Sequence, residues 1–198
     1  MLVAVDKFTK WVEAAPVTTQ DSAAAISFIK SIVFRFGVPH NIITDNGTNF
    51  TSKEFKSYCE GLGIKLKFAS MAHPKTNRQV EKANGLICSG IKKRLLAPLE
   101  KAKSAWVEEL PSVLWSLRTT PNAATRETPF FLVHGAEAVL PVEVTHEAPR
   151  VTAYDEITST EALQDDVDAL DEARDKALER ATQYQQSLRN YHSSRVCP

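Results

Sequence analysis

The 198 residues, 43% of them hydrophobic, suit one domain with a real core and perhaps an appendage, and no stretch approaches the ~20 consecutive apolar residues of a membrane-spanning helix. A formal net charge of zero hides a split, because residues 1–150 hold 19 Lys and Arg against 14 Asp and Glu, while residues 151–198 hold 5 against 10; this describes a mildly basic globular part and an acidic extension. Cys59, Cys88 and Cys197 are odd in number and far apart with no Cys-x-x-Cys pair, which argues against a disulfide framework or a zinc site and for a reducing, intracellular setting; no secretory leader is expected either.

Leu2 to Val5 is a β-branched, apolar run, and Trp11 to Val17 reads as its hairpin partner across the polar turn Lys7 to Lys10. Thr18-x-x-Asp21 has the form of a capping box, after which Ala25, Ile29, Ile32, Val33 and Phe36 recur at helical spacing until Gly37 and Pro39 stop the helix. Asn41 to Thr44 is a short strand that delivers Asp45. Thr51-x-x-Glu54 caps a second helix with Phe55, Tyr58, Cys59 and Leu62 inward, ended by Gly61 and Gly63. Ile64 to Phe68 alternates as an edge strand does, with its lysines outward.

A polar loop over residues 69–78 leads into a helix expected from Gln79 to Leu96, with Val80, Asn84, Ile87, Ile91 and Leu95 on one face and Glu81 in its first turn. From Ala105 to Leu117 another helix turns Trp106, Leu110, Val113, Leu114 and Leu117 inward, and residues 118–150 read as a Pro-punctuated connection. Between Glu161 and Tyr191, Val167, Leu170, Ala177, Ala181, Tyr184, Leu188 and Tyr191 follow an a/d heptad series interrupted by Arg174. That long helix is either a solvated linker or a surface for self-association.

The chemistry concentrates between Ile42 and Glu81. Asp45-Asn46-Gly47 by itself is an ordinary turn, since Asp, Asn and Gly all accept tight backbone geometry, and Glu81 by itself is an ordinary helix-start acid favoured by the macrodipole. Together they are two carboxylates on the ends of rigid elements, with 35 residues between them. Phosphoryl transfer assisted by divalent metals needs such an arrangement.

The order strand, strand, helix, strand with Asp, helix, strand, loop, helix with Glu resembles the catalytic core of retroviral-type integrases, and most closely those of gypsy-type LTR retrotransposons. The residues that carry it are Leu2 to Ala14, Ile43-Thr44-Asp45-Asn46-Gly47-Thr48-Asn49-Phe50, and His73-Pro74 through Asn84. Further along come Trp106, Leu110-Pro111, Leu114-Trp115, Arg118 to Pro121, Glu127 to Phe130 and Gly135. The resemblance implies an α/β, ribonuclease H-like mixed sheet flanked by helices. It also implies a Mg²⁺- or Mn²⁺-dependent transesterase that trims element DNA ends and joins them to target DNA in the nucleus. Asp45 and Glu81 match the second and third acids, which hold the metal; Lys75, Arg78 and Lys82 around Glu81 are the expected phosphate contacts, or else a solvated helix start.

The family's first acid lies on an earlier strand, in a Trp-x-x-Asp segment, whereas Asp6 matches a non-catalytic position. The expectation is therefore an N-terminally truncated core over residues 1–150, lacking its central strand between Leu2–Asp6 and Asn41–Thr44, followed by an acidic helical extension over residues 151–198. Arg78 and Arg126 stand where the family usually has Gly, and His134 where Tyr is common. Two further readings are a non-catalytic DNA- or protein-interaction module derived from an integrase, in which the C-terminal helix forms a homo-oligomer or takes a partner, and a different two-metal nuclease such as a ribonuclease H.

Overall fold

The computed structural model describes residues 1–69, 78–95, 105–152 and 156–193, with the side chains of 78, 150, 156–168 and 192 outside that description. The expectations for Lys75, Leu96 and Cys197, and for the side chains of Arg78 and Val167, lie outside the described residues. Clustering of contacts divides the chain into two compact units, Met1–Val5 with Val12–Leu114, and Asp6–Trp11 with Trp115–Pro198.

In the first unit, β1 (Leu2–Val5) pairs antiparallel with β2 (Val12–Ala15), Val5 facing Val12. Helix α1 (Ser22–Phe36) starts where Asp21 Oδ1 accepts from Ala24 N at 2.8 Å, so Asp21 is the cap residue and Thr18 is not. That bond, with a second from the Thr19 hydroxyl, holds the Asp21 carboxyl below its usual range. Gly37, at φ 84, ends the helix. The buried Glu13 of β2 takes a two-pronged ion pair from Arg35 of α1, at 2.9 and 3.0 Å, which ties the helix to the hairpin.

After β3 (Asn41–Thr44) comes a single turn, α2 (Thr48–Thr51), and then α3 (Lys53–Gly61). Ser52 caps α3 by accepting from Phe55 N at 3.1 Å, one residue later than expected, because α2 uses up Thr51. Strand β4 (Lys65–Phe68) pairs parallel with β3. Both ladders rest on one cluster: Leu2, Ala4, Ala15, Ile42 and Leu66 join Ala25, Phe28 and Ile29 of α1 and Phe55 and Cys59 of α3. Burial pushes the Cys59 thiol pKa up, with the Glu60 charge adding to it. Each ladder has two strands, and among the described residues none joins β1 to β3.

Helix α4 (Arg78–Arg94) packs on β1, burying Ala83, Ile87 and Ile91; Asn84, expected inward, is exposed. Arg78 is helical and so needs no left-handed backbone. Helix α5 (Ala105–Arg118) buries Leu110, Val113 and Leu114. The two helices meet so closely that a Cβ on Gly90 would lie 2.8 Å from Val113 Cγ1.

In the second unit, residues 118–150 are more than a connection. They hold α6 (Pro129–His134), α7 (Pro141–Thr145) and the first part of α8 (Pro149–Thr152), with Thr128 capping α6 through a 3.0 Å bond from Phe131 N. Arg126 does sit at a left-handed φ of 65, the conformation its Gly counterpart adopts at no steric cost. Trp11, Trp115, Phe130, His134 and Arg118 form an aromatic group, with the Arg118 guanidinium 4.4 Å from the Trp11 ring.

The expected long helix is α9 (Glu156–Ser193). Its seam is covered only in part: Leu170, Ala177 and Ala181 are buried, while Tyr184, Leu188 and Tyr191 are exposed. Arg174, the break in the heptads, donates from Nε and Nη2 to the Leu132 carbonyl at 3.2 and 3.1 Å. Among the described residues no helix is long and apolar enough to cross a membrane.

Candidate active site

Asp45 stands immediately after β3, where the strand gives way to the turn that opens α2. The carboxylate is exposed, and its Oδ1 accepts one hydrogen bond, from Gly47 N at 3.0 Å. Gly47 has an ordinary φ of −57, so its value here is space rather than backbone freedom. A Cβ at that position would lie 2.6 Å from Asn49 Oδ1 and 3.0 Å from Asp45 Oδ1 itself. Sequence alone assigned Gly47 to the turn; its clearance for the carboxylate emerges only from the packing. The Asn46 amide reaches the Ala69 carbonyl at 3.5 Å, linking the turn to the end of β4. One residue earlier, the Thr44 hydroxyl is buried with no partner among the described residues.

Glu81 is exposed in the first turn of α4, where the helix dipole favours its negative charge. Lys82 beside it is exposed as well. The two carboxylates thus occupy the expected element ends. Carboxylate oxygens are the donors that hard dications take, so each of these two side chains has the donor chemistry of a Mg²⁺ or Mn²⁺ ligand. Among the described residues no group of three or more His, Cys, Asp and Glu side chains forms a metal site.

Asp6 is placed differently, in the turn of the β1–β2 hairpin. Its Oδ1 accepts from Phe8 N at 3.1 Å, Thr9 N at 2.7 Å and Thr9 Oγ1 at 2.8 Å. Its backbone closes the loop with Lys10 N and the Trp11 carbonyl, and Lys10 takes a left-handed φ of 64. Burial lowers the Lys10 ammonium pKa, against the attraction of Asp6. The Lys10 ammonium donates to the Lys7 carbonyl. This is a structural carboxylate.

A shallow concavity of about 350 Å³ on α2 and α3 is lined by Thr51, Lys53, Lys56, Ser57 and Glu60. It contains neither acid. Asp45 and Glu81 both stand exposed.

Residues 1–74 match the family described as integrase core domain. The chain is 33% identical over 168 residues to the Gag-Pol polyprotein of avian reticuloendotheliosis virus, a match that covers 83% of the chain and 14% of that polyprotein. It is also 33% identical over 172 residues to the Pol polyprotein of radiation murine leukemia virus (strain Kaplan), covering 86% of the chain and 28% of the relative. Among solved structures, the HTLV-2 integrase catalytic core domain in complex with magnesium, in a trimeric form, superposes with a TM-score of 0.55 at 26% identity, covering 67% of this chain and 82% of that one. The chain thus spans less than a third of the viral polyproteins it resembles.

Proposed function

Because the chain carries an integrase core of the retroviral type, we propose that it acts on DNA, as the part of a gypsy-type retrotransposon integrase that supplies Asp45 and Glu81 to metal-dependent end processing and strand transfer. The observation that carries this reading is the Asp45 turn. Within the matched segment, an exposed carboxylate on a strand end accepts a single hydrogen bond among the described residues, beside a glycine that leaves it room. Asp45 and Glu81 would hold Mg²⁺ or Mn²⁺, as magnesium accompanies the HTLV-2 core. When bound, the cation supplies activation of a water or 3′-hydroxyl and neutralises charge on the phosphate. The chain's own contributions are orientation of the Asp45 carboxylate by Gly47 N and positioning of the DNA backbone by Lys75, Arg78 and Lys82. The parent protein works in the nucleus as a homo-oligomer that brings element ends and target DNA together.

Among the described residues no ladder joins β1 to β3, and Asp45 and Glu81 are the two acids this reading has in hand. Two carboxylates are a thin ligand set for hard dications, so the chain by itself is inactive in this reading. The engagement of Asp6 Oδ1 by its own loop supports the second reading, a non-catalytic interaction module.

The test is strand transfer on element-end oligonucleotides with Mg²⁺ or Mn²⁺, run with the parent protein and with this chain. Activity is expected from the parent, none from the chain alone, and none after Asp45→Asn; strand transfer that persists in the Asp45→Asn parent overturns the assignment. Activity of the unaided chain removes the module reading.

A further inference from the structure

The β3–β4 ladder has two unlike faces. Ile42 lies beside Leu66 and both pack on the α1–α3 cluster, so alternation sends Asn41, Ile43, Lys65 and Lys67 out of the opposite face. Parallel strands are ordinarily covered on both faces. Here the second face is open among the described residues: Asn41, Lys65 and Lys67 are exposed, and even Ile43 is 40% exposed.

Asp45 follows β3 directly after Thr44, and its side chain is exposed. Lys67 pairs in register with Ile43, two residues before Asp45, and Lys65 pairs with Asn41. Along β4 the two lysines are about 6.6 Å apart, two strand residues. Neither makes an ion pair with a described residue. Lys56 is used otherwise, on the α3 side, where its ammonium stands 5.7 Å from the Phe68 ring.

We propose that the open face of the β3–β4 ladder is a DNA-binding surface, on which Lys65 and Lys67 hold successive phosphates of a duplex backbone and lead the strand toward Asp45. It rests on the reading of the chain as a DNA-acting core and adds a second set of contacts to those around Glu81. Duplex phosphates fit because the face is two-stranded and offers two exposed point charges one strand repeat apart. Base contacts are not needed, so binding is independent of sequence and strongly dependent on salt.

The competing use of these lysines is to guard an exposed strand edge against pairing with another chain. Anisotropy titrations with a duplex of arbitrary sequence across a KCl series distinguish the two. The full chain is compared with the double variant Lys65→Gln/Lys67→Gln and with Lys30→Gln/Lys53→Gln, which removes the same charge from the α1–α3 side. Thermal melting checks that all three are folded.

The expected result is that the slope of log Kobs against log[KCl] becomes shallower by about 1.8 in the first variant, two phosphate contacts' worth, and by less than half a unit in the second. Equal slopes in the full chain and the Lys65/Lys67 variant overturn the surface and leave the DNA reading standing. Equal losses in both variants also overturn it, since net charge then explains binding. A full chain with no salt-dependent binding at all removes the DNA reading and this surface with it.

Discussion

Asp6 and Asp45 each follow a short apolar strand and each open a turn, yet their carboxylates do opposite things. Oδ1 of Asp6 receives three donors from its own loop, whereas Oδ1 of Asp45 receives one. The Asp6 loop tolerates a left-handed Lys10 to close a hairpin; the Asp45 turn uses a Gly that is not left-handed at all, to keep a Cβ away from the carboxylate. One turn spends its acid on folding, and the other leaves its acid free to work. The number of donors on the oxygen, more than the presence of an Asp, separates the two turns.

The comparison breaks most completely at Asp45. Asp45→Asn is expected to remove Mn²⁺ binding, read by water-proton relaxation; retained binding would mean that the free carboxylate is not a ligand. Next comes Gly47→Ala, which pushes a methyl against Asn49 and the carboxylate. About tenfold weaker Mn²⁺ binding is expected with the fold intact, the usual scale for disturbing the support of a metal ligand.

Asp6→Ala should do the reverse, leaving Mn²⁺ affinity unchanged while lowering stability by about 1 kcal/mol in urea unfolding. A loss of metal binding there would put Asp6 back among the ligands. Smallest is Lys10→Gly, expected to stabilise by about 0.5 kcal/mol, because relief of the left-handed strain slightly outweighs the entropy of glycine. Arg126→Gly, at φ 65, is expected to behave in the same way.

Much of this was legible from local chemistry. The hairpin of Leu2–Val5 and Val12–Ala15, the short strand before Asp45, the helix that begins near Glu81 and the long C-terminal helix all follow from periodicity and punctuation. Misplaced details share a cause, which is competition among neighbours for the same role. Thr18 and Asp21 both can cap α1, and the residue whose oxygen meets Ala24 N prevails; Thr51 loses to Ser52 because α2 claims it first.

Asn84 fits the spacing of the inward face as well as Ala83 does, but the close approach of α4 to α5 at Gly90 favours small and apolar residues there. The short helices between Pro129 and Thr152 were hidden because four- to six-residue elements have too few turns to show a period. In α9 the heptads run on past Ala181, yet Tyr184, Leu188 and Tyr191 are exposed.

By itself the sequence determined that two carboxylates end rigid elements with 35 residues between them, and that a polar turn at Lys7 to Lys10 joins the first two strands. Both are consequences of residues close together in the chain, where turn and cap preferences act directly. Tertiary structure alone decided that β3 and β4 run parallel with Ile43 beside Lys67, and that the α1–α3 cluster covers the Ile42 and Leu66 side. Alternation reveals that a strand has two different faces, but which face is covered depends on helices packed from elsewhere in the chain. That choice is what leaves Lys65 and Lys67 exposed.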